Sequence, residues 1–249
     1  MELKEDERID DLEYNNLKII QKKDGFCFGI DSILLSDFAK EIKNNSTVLD
    51  LGTGTGIISI LLCEKTKLKK IIGIEVQKEI SEIAKKNIKL NKLENKFEII
   101  NENIKNIEKI IEKNSIDAIV TNPPYKKDNT GIKNENKIKL ISRHEIEANL
   151  EDFIRISNKL LKDKGELYMV HRPERLSEII ELLKKYKIEP KKLQLVYPKI
   201  NKKPTMILIK GIKNAKSFLE IKEPLIIYDE KNNYTEEILK IYNKKRINN

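Results

Sequence analysis

The chain has 249 residues, 39% of them hydrophobic and 36% charged, with a formal net charge of +9. These values fit a soluble globular protein with a sizeable α/β core and exclude a disordered segment. No apolar run approaches the ~18 residues that a membrane helix needs, since the longest, Ile57 to Cys63, is broken by Ser59.

Two cysteines, Cys27 and Cys63, cannot build a disulfide framework, and His144 and His171 add too few ligands for a structural zinc site. No metal is expected. Glu2, Glu5, Asp6, Glu7, Asp10, Asp11 and Glu13 crowd the N-terminus against only Lys4 and Arg8. A secretory signal needs a basic stretch followed by an apolar one there, so the expected location is cytoplasmic. With the acids gathered at one end, the remaining body is more basic than the whole chain, which suits a polyanionic partner. That argument is weak alone. Only six of the 49 basic residues are arginine, and Lys, Asn and Ile are abundant, as AT-rich coding would also produce.

From Thr47 onward, strand-like and helix-like stretches alternate. Thr47–Leu51 reads as a buried strand with a helix opening at Gly56. Lys70–Glu75 is the next strand, followed by an amphipathic helix over Lys78–Leu90. Phe97–Asn101, Asp117–Thr121 and Glu166–His171 continue the series, with helices between them. This alternation predicts a mostly parallel sheet with helices on both faces. Leu193–Tyr197 and Met206–Lys210 are joined by the Pro- and Lys-rich stretch Pro198–Thr205, too short for a crossover helix, so an antiparallel hairpin is expected. Lys126–Glu145 is too long for an ordinary connector and is a candidate substrate loop. The tail from Glu223 holds a short strand-like piece, Leu225–Tyr228, a turn through Asp229–Asn233 and a helix-like end. No Pro/Gly/Ser linker divides the chain, so one domain over 1–249 is expected. Its parts are an N-terminal segment (1–46), a core (47–212) and a C-terminal extension (213–249).

The strongest local signal is Asp50-Leu51-Gly52-Thr53-Gly54-Thr55-Gly56, set between a strand and a helix. Glycine at every second position lets the backbone turn sharply and approach a ligand closely. A dinucleotide fingerprint needs its third glycine where Ile57 stands, and a P-loop needs a closing Gly-Lys-Ser/Thr. A ligand without a pyrophosphate is the better fit. Glu75, at the end of the second strand, can accept hydrogen bonds from both hydroxyls of a ribose.

Asn122-Pro123-Pro124-Tyr125 follows the fourth strand. Two prolines remove two backbone donors and stiffen the turn. The Asn122 oxygen and a proline carbonyl can then both accept from one –NH2 group. An amino nitrogen conjugated to a ring is a poor nucleophile, and two acceptors draw it toward tetrahedral geometry. Tyr125 offers a flat face for a planar group.

Together the glycine loop, the acid after the second strand and the NPPY tetrapeptide resemble the class I methyltransferases that act on exocyclic amines. Glu7-Arg8-Ile9-Asp10-Asp11-Leu12, the stretch Gln21–Phe38, Arg143-His144-Glu145, His171-Arg172-Pro173-Glu174-Arg175-Leu176 and Tyr228–Thr235 add a narrower likeness. They resemble the family that N6-methylates the adenine beside the anticodon of a valine tRNA. The resemblance implies a Rossmann-like fold with a seven-stranded, mostly parallel sheet and a final antiparallel strand. It implies S-adenosylmethionine as cofactor and tRNA as partner. A monomer is expected. Asp50, Gly52, Thr53, Gly54 and Gly56 would hold the methionine end of the cofactor and Glu75 its ribose. Asn103 stands where the family has an aspartate contacting the adenine. Phe26 and Phe28, with Asp31 opening the next helix, would close the pocket, which Asn122 also borders. Asn122, Pro123, Pro124 and Tyr125 would act on the amine. Arg143 and His144 would lie on the substrate side. From their place in the two loops, Lys126, Lys127, Lys133 and Arg143 in the long loop and Lys199, Lys202 and Lys203 in the hairpin loop are expected to contact phosphates. Two other readings stay open: a glutamine-amide methyltransferase acting on a protein, and a non-catalytic RNA-binding protein on a methyltransferase fold.

Overall fold

The computed structural model describes residues 3–24, 29–125 and 148–244. Two strands, β1 (Glu7–Asp11) and β2 (Lys18–Lys22), form an antiparallel hairpin before the first helix, α1 (Ile30–Phe38). The expected alternation follows: β3 (Thr47–Leu51), α2 (Ile57–Lys65), β4 (Lys70–Ile74), α3 (Lys78–Leu90) and β5 (Phe97–Ile100). A 3₁₀ helix over Ile104–Lys109 precedes β6 (Ile116–Thr121). Then come α4 (Leu150–Leu160), β7 (Leu161–His171), α5 (Leu176–Lys185), β8 (Ile188–Tyr197) and β9 (Met206–Lys213). The tail adds β10 (Glu220–Ile221), β11 (Leu225–Ile226) and α6 (Glu236–Ile241).

The main sheet runs β10-β8-β9-β7-β6-β3-β4-β5, with β11 also paired to β8. Only β9 opposes its neighbours; it lies between β7 and β8, and every other pair in this sheet is parallel. The expected seven strands with one late antiparallel member are all present, and β10 and β11 extend the edge beyond them. The hairpin of β8 and β9 is longer than the sequence pattern suggests. Pro190 sits at a register shift in β8, the position at which a strand tolerates a missing N–H donor.

Side chains alternate between the two faces of the sheet. Val48, Ile71, Ala118, Val120, Tyr168 and Leu208 face α1, α2, α3 and α6. Leu49, Leu51, Ile72, Ile74, Ile119 and Ile209 face the 3₁₀ helix, α4 and α5. The helices form for local reasons as well. In α3 the buried residues Ile83, Ala84, Asn87 and Ile88 make one stripe. Asn149 and Asp152 cap α4 reciprocally, each side chain accepting the other's backbone N–H.

Along the sheet, β3 is flanked by β4 on one side and β6 on the other. The chain adds β4 and β5 in one direction, then returns to place β6 on the opposite side. A crevice opens at the carboxyl ends where the order reverses. The loops after β3 and β6 therefore face each other across it, and Thr121 Oγ1 donates to Leu51 O at 2.8 Å to tie the two strand ends.

The N-terminal hairpin packs on α3 through two asparagines that behave like a strand edge. Ile20 N–H donates to Asn87 Oδ1 at 2.6 Å, and Asn87 Nδ2 donates to Ile20 O at 3.1 Å. Asn91 makes the same pair with Lys18, at 3.0 and 2.8 Å. Asn87 Nδ2 also donates to Thr55 O at 2.9 Å, so one fully buried side chain joins the hairpin to the glycine loop. Asn87→Ala leaves the Ile20 amide and the Thr55 carbonyl without this partner. Urea denaturation should show a loss of about 2–4 kcal/mol, as expected when buried polar groups lose their bonds; a loss below about 0.5 kcal/mol would show that water replaces the side chain at little cost.

Candidate active site

Asp50 is wholly buried beneath the glycine loop, where its Oδ2 accepts from Thr53 Oγ1 and Ser59 Oγ, both at 2.7 Å. Burial pushes its carboxyl up to about 6; the two hydroxyl bonds oppose the shift and the Glu75 charge adds to it. Thr53 is thus turned inward, and its contribution to the rim is backbone. Gly52 and Thr53 N–H donate to Ile74 O at 3.0 and 2.9 Å, which lays the loop across the end of β4.

All three loop glycines have positive φ: 73° at Gly52, 58° at Gly54 and 89° at Gly56. They differ in surroundings. A Cβ on Gly56 would come within 3.0 Å of the Phe97 ring, whereas one on Gly54 would meet no atom within 4 Å. Gly56 is required by packing and backbone conformation together. Gly54 borders open space, so a backbone-lined surface is left free for a ligand.

Glu75 is 3% exposed. Its Oε2 accepts from Gly54 N–H at 3.0 Å and its Oε1 from Gln77 N–H at 2.8 Å. Oε1 also accepts from Gln77 Nε2 at 3.4 Å, so Oε2 is the oxygen that keeps a further lone pair for a hydroxyl donor. Asn103 opens the 3₁₀ helix, and its Oδ1 accepts from Lys105 N–H at 2.9 Å. Its oxygen therefore caps a helix. Asn101, two residues earlier, donates to the carbonyls of Glu75 and Val76 at 2.7 and 3.0 Å and holds the end of β4 in place.

Across the crevice, Asn122 and Tyr125 converge on one carboxylate. Asp31 Oδ2 accepts from Asn122 Nδ2 at 3.0 Å and from Tyr125 Oη at 2.8 Å. The Asp31 residue is 7% exposed and lies in the first turn of α1. Burial first, then the Asp31 charge, raises the Tyr125 hydroxyl above its ordinary pKa, so it stays a neutral donor. The ring of Tyr125 packs edge-on against His171, with centroids 5.2 Å apart, and the Arg172 guanidinium lies 5.0 Å from its centroid. His171 is wholly buried, and burial with the Arg175 charge pushes its imidazole down to about 4. Its Nδ1 accepts from Arg172 N–H at 2.8 Å, which leaves the proton of the neutral ring on Nε2.

Arg172 Nη1 donates to Thr205 O at 3.1 Å. This contact brings the loop between β8 and β9, with exposed Lys202 and Lys203 and half-buried Lys199, to the same end of the sheet as Tyr125. Phe26, Phe28, Lys126, Lys127, Lys133, Arg143 and His144 lie outside the described residues. The family resemblance put Asp31 at the pocket wall and gave His171 and Arg172 no part in holding Tyr125. No local spacing reveals these contacts, because they join elements far apart in the chain.

The family model for the methyltransferase small domain matches residues 29–188. Among characterised proteins, a tRNA1(Val) (adenine(37)-N6)-methyltransferase of Histophilus somni is 28% identical over 225 residues, covering 90% of this chain and 92% of its own. The proteins of the same name from Porphyromonas gingivalis and Flavobacterium johnsoniae are 28% and 24% identical, covering 72% and 91% of this chain and 72% and 95% of their own. Of solved structures, a predicted O-methyltransferase from Agrobacterium tumefaciens superposes with a TM-score of 0.69 at 19% identity, covering 86% of this chain and 95% of the other. The M. jannaschii TYW2 protein in complex with AdoMet gives 0.57 at 18%, covering 85% and 88%. The fold is that of the class I methyltransferases, and with the family model spanning the glycine loop, Glu75 and the NPPY turn, the chain belongs to the methyltransferase small domain family.

Proposed function

We propose that the protein transfers a methyl group from S-adenosylmethionine to the N6 of an adenine in tRNA, next to the anticodon of a valine tRNA; its relatives are named as tRNA1(Val) (adenine(37)-N6)-methyltransferases. The observation that carries this reading is the placement of Asn122 and Tyr125 across the crevice from the open, backbone-lined face of Gly54.

The residues present fit the cofactor. The Gly54 face has room for a ligand, and Glu75 Oε2 retains acceptor capacity toward a ribose hydroxyl, while Oε1 would exchange its long 3.4 Å bond from Gln77 Nε2 for another. Asp50 Oδ1 is buried without a hydrogen-bond partner, so a carboxylate under the loop favours a cationic ligand above it. Asn103 can still meet an adenine with its Nδ2, its oxygen being committed to the helix cap. The bound cofactor supplies a methyl group already activated on a sulfonium.

The protein's own task is then positioning. The Asn122 oxygen and a carbonyl of the Pro123–Pro124 pair accept from the two hydrogens of the amine, which localises the nitrogen lone pair. Tyr125 stacks on the base, its ring fixed by His171 and its hydroxyl by Asp31. Phosphates of the RNA meet Lys202 and Lys203, with Lys199 beside them, while Arg172 links that loop to the site. Lys126, Lys127, Arg143 and His144 complete the substrate side in this reading, and the cytoplasm, where tRNA is found, is the expected location.

Three outcomes test it. Gly54→Asp forces a side chain onto a residue with φ +58° and fills the open face. Calorimetry with S-adenosylhomocysteine should show binding lost; wild-type affinity would place the cofactor elsewhere. Asn122→Ala removes one of two acceptors, and single-turnover methylation of an unmodified tRNA should slow by ~100-fold or more, whereas Tyr125→Phe keeps the stacking face and most of the rate. Nucleoside analysis should find N6-methyladenosine. A wild-type rate for Asn122→Ala, or a product that is a methylated guanosine or glutamine, would sink the assignment. Finally, affinity for tRNA should fall steeply with salt, and replacing Lys202 or Lys203 by Gln should each lower the salt slope by ~0.7–0.9. Slopes identical to wild type would remove the hairpin loop from the RNA interface.

A further inference from the structure

We propose that Asp31 is a positioning residue that sets which end of the Asn122 amide faces the methyl acceptor. This rests on the reading that Asn122 accepts from the substrate amine. An amide side chain has two ends of nearly equal shape and opposite hydrogen-bonding character. With its oxygen toward the substrate, Asn122 can accept from an –NH2 group. Turned over, it would set two donors against the amine's own hydrogens and stop the reaction. The backbone of the NPPY turn does not choose between these states, because rotation about the last side-chain bond exchanges them.

Asp31 makes the choice. Its Oδ2 lies 3.0 Å from Asn122 Nδ2 and 2.8 Å from Tyr125 Oη, and its Oδ1 accepts from Ser32 N–H at 2.9 Å. All three neighbours are donors, and a carboxylate offers acceptors only. The amide NH2 is therefore held at Asp31, and the amide oxygen is left for the crevice. An asparagine at position 31 could not do this cleanly. Its own NH2 would have to face either Ser32 N–H or the Asn122 and Tyr125 donors.

The carboxylate is itself held firmly. It sits in the first turn of α1, whose Ile33, Leu34 and Leu35 are buried in the core. Gly29 precedes the helix with extended backbone, and a Cβ there would lie 2.8 Å from Asp31 Oδ1. The absence of a side chain at Gly29 keeps the carboxylate in place. Among the described residues, the charged and titratable groups facing this cluster are Arg172, over the Tyr125 ring, and His171, against its edge.

The test is single-turnover methylation of an unmodified tRNA by Asp31→Asn, Asn122→Asp, the double exchange and Asn122→Ala. Affinities for S-adenosylhomocysteine and tRNA are measured in parallel. Asp31→Asn should slow methyl transfer by ~10–100-fold while both affinities stay near wild type. Asn122→Asp sets two carboxyls against each other, and such a pair ionises fully only at raised pH. Its rate relative to wild type should therefore fall as pH rises. The double exchange restores a donor facing an acceptor with the direction reversed, so it should recover much of what Asp31→Asn lost and show no such pH dependence relative to wild type. A wild-type rate for Asp31→Asn overturns the proposal. So does a double exchange no faster than Asp31→Asn, or an Asn122→Asp ratio that is flat with pH; the last holds even if Asp31→Asn fails to fold. A wild-type rate for Asn122→Ala would instead overturn the amine reading, and the role of Asp31 with it.

Discussion

A parallel sheet that reverses its order of growth must leave two neighbouring strands whose outgoing loops diverge, and here those strands are β3 and β6. The bond from Thr121 to Leu51 fastens them at the level where the loops begin. From that constraint follow the position of the glycine loop on one side of the crevice and the NPPY turn on the other. The chemistry attributed to the protein needs a methyl donor and an acceptor nitrogen brought into line. A rigid pair of strand ends delivers this more reliably than two flexible loops would.

Neither loop is shaped by its backbone alone. Each leans on a polar side chain buried below it. Asp50 gathers Thr53 and Ser59, Asn87 holds Thr55, and Asp31 takes Asn122 and Tyr125. Buried hydrogen bonds of this kind add little net stability when formed, but losing one partner exposes the full desolvation cost of the other. The asymmetry favours a single loop geometry over many similar ones. It also accounts for the small N-terminal hairpin: through Asn87, β2 and the glycine loop share one side chain.

On the acceptor side two titratable groups stay neutral, with the Asp31 carboxylate and the Arg172 guanidinium held against the same Tyr125 side chain. His171 remains neutral because burial and Arg175 disfavour its cation. The Tyr125 hydroxyl remains protonated because burial and Asp31 disfavour its anion. In the proposed reading a planar base meets the neutral Tyr125 ring, while Lys202 and Lys203 would meet the phosphates of a bound RNA. That reading follows the division of labour in nucleic-acid recognition, where charge positions the strand and the pocket reads the base.

The sequence by itself determined most of the strands, the amphipathic helix α3, the antiparallel β8–β9 pair, the glycine loop, Glu75 and the NPPY turn. Each depends on residues close together in the chain, through alternation, helical periodicity or a fixed spacing. The strand-like piece at Leu225–Tyr228 is β11, whereas the N-terminal hairpin and β10 escaped that reading because they are short and take their stability from α3 and β8. Only the tertiary structure decided that β9 lies between β7 and β8, that Asn87 reaches Ile20 across 67 residues, and that Asp31 meets Asn122 and Tyr125 across 91 and 94. The physical reason is one and the same. A side chain's type limits which hydrogen bonds it can make, but the partner it finds is set by how the helices pack on the sheet, and that packing is decided by the whole core rather than by any local stretch of sequence.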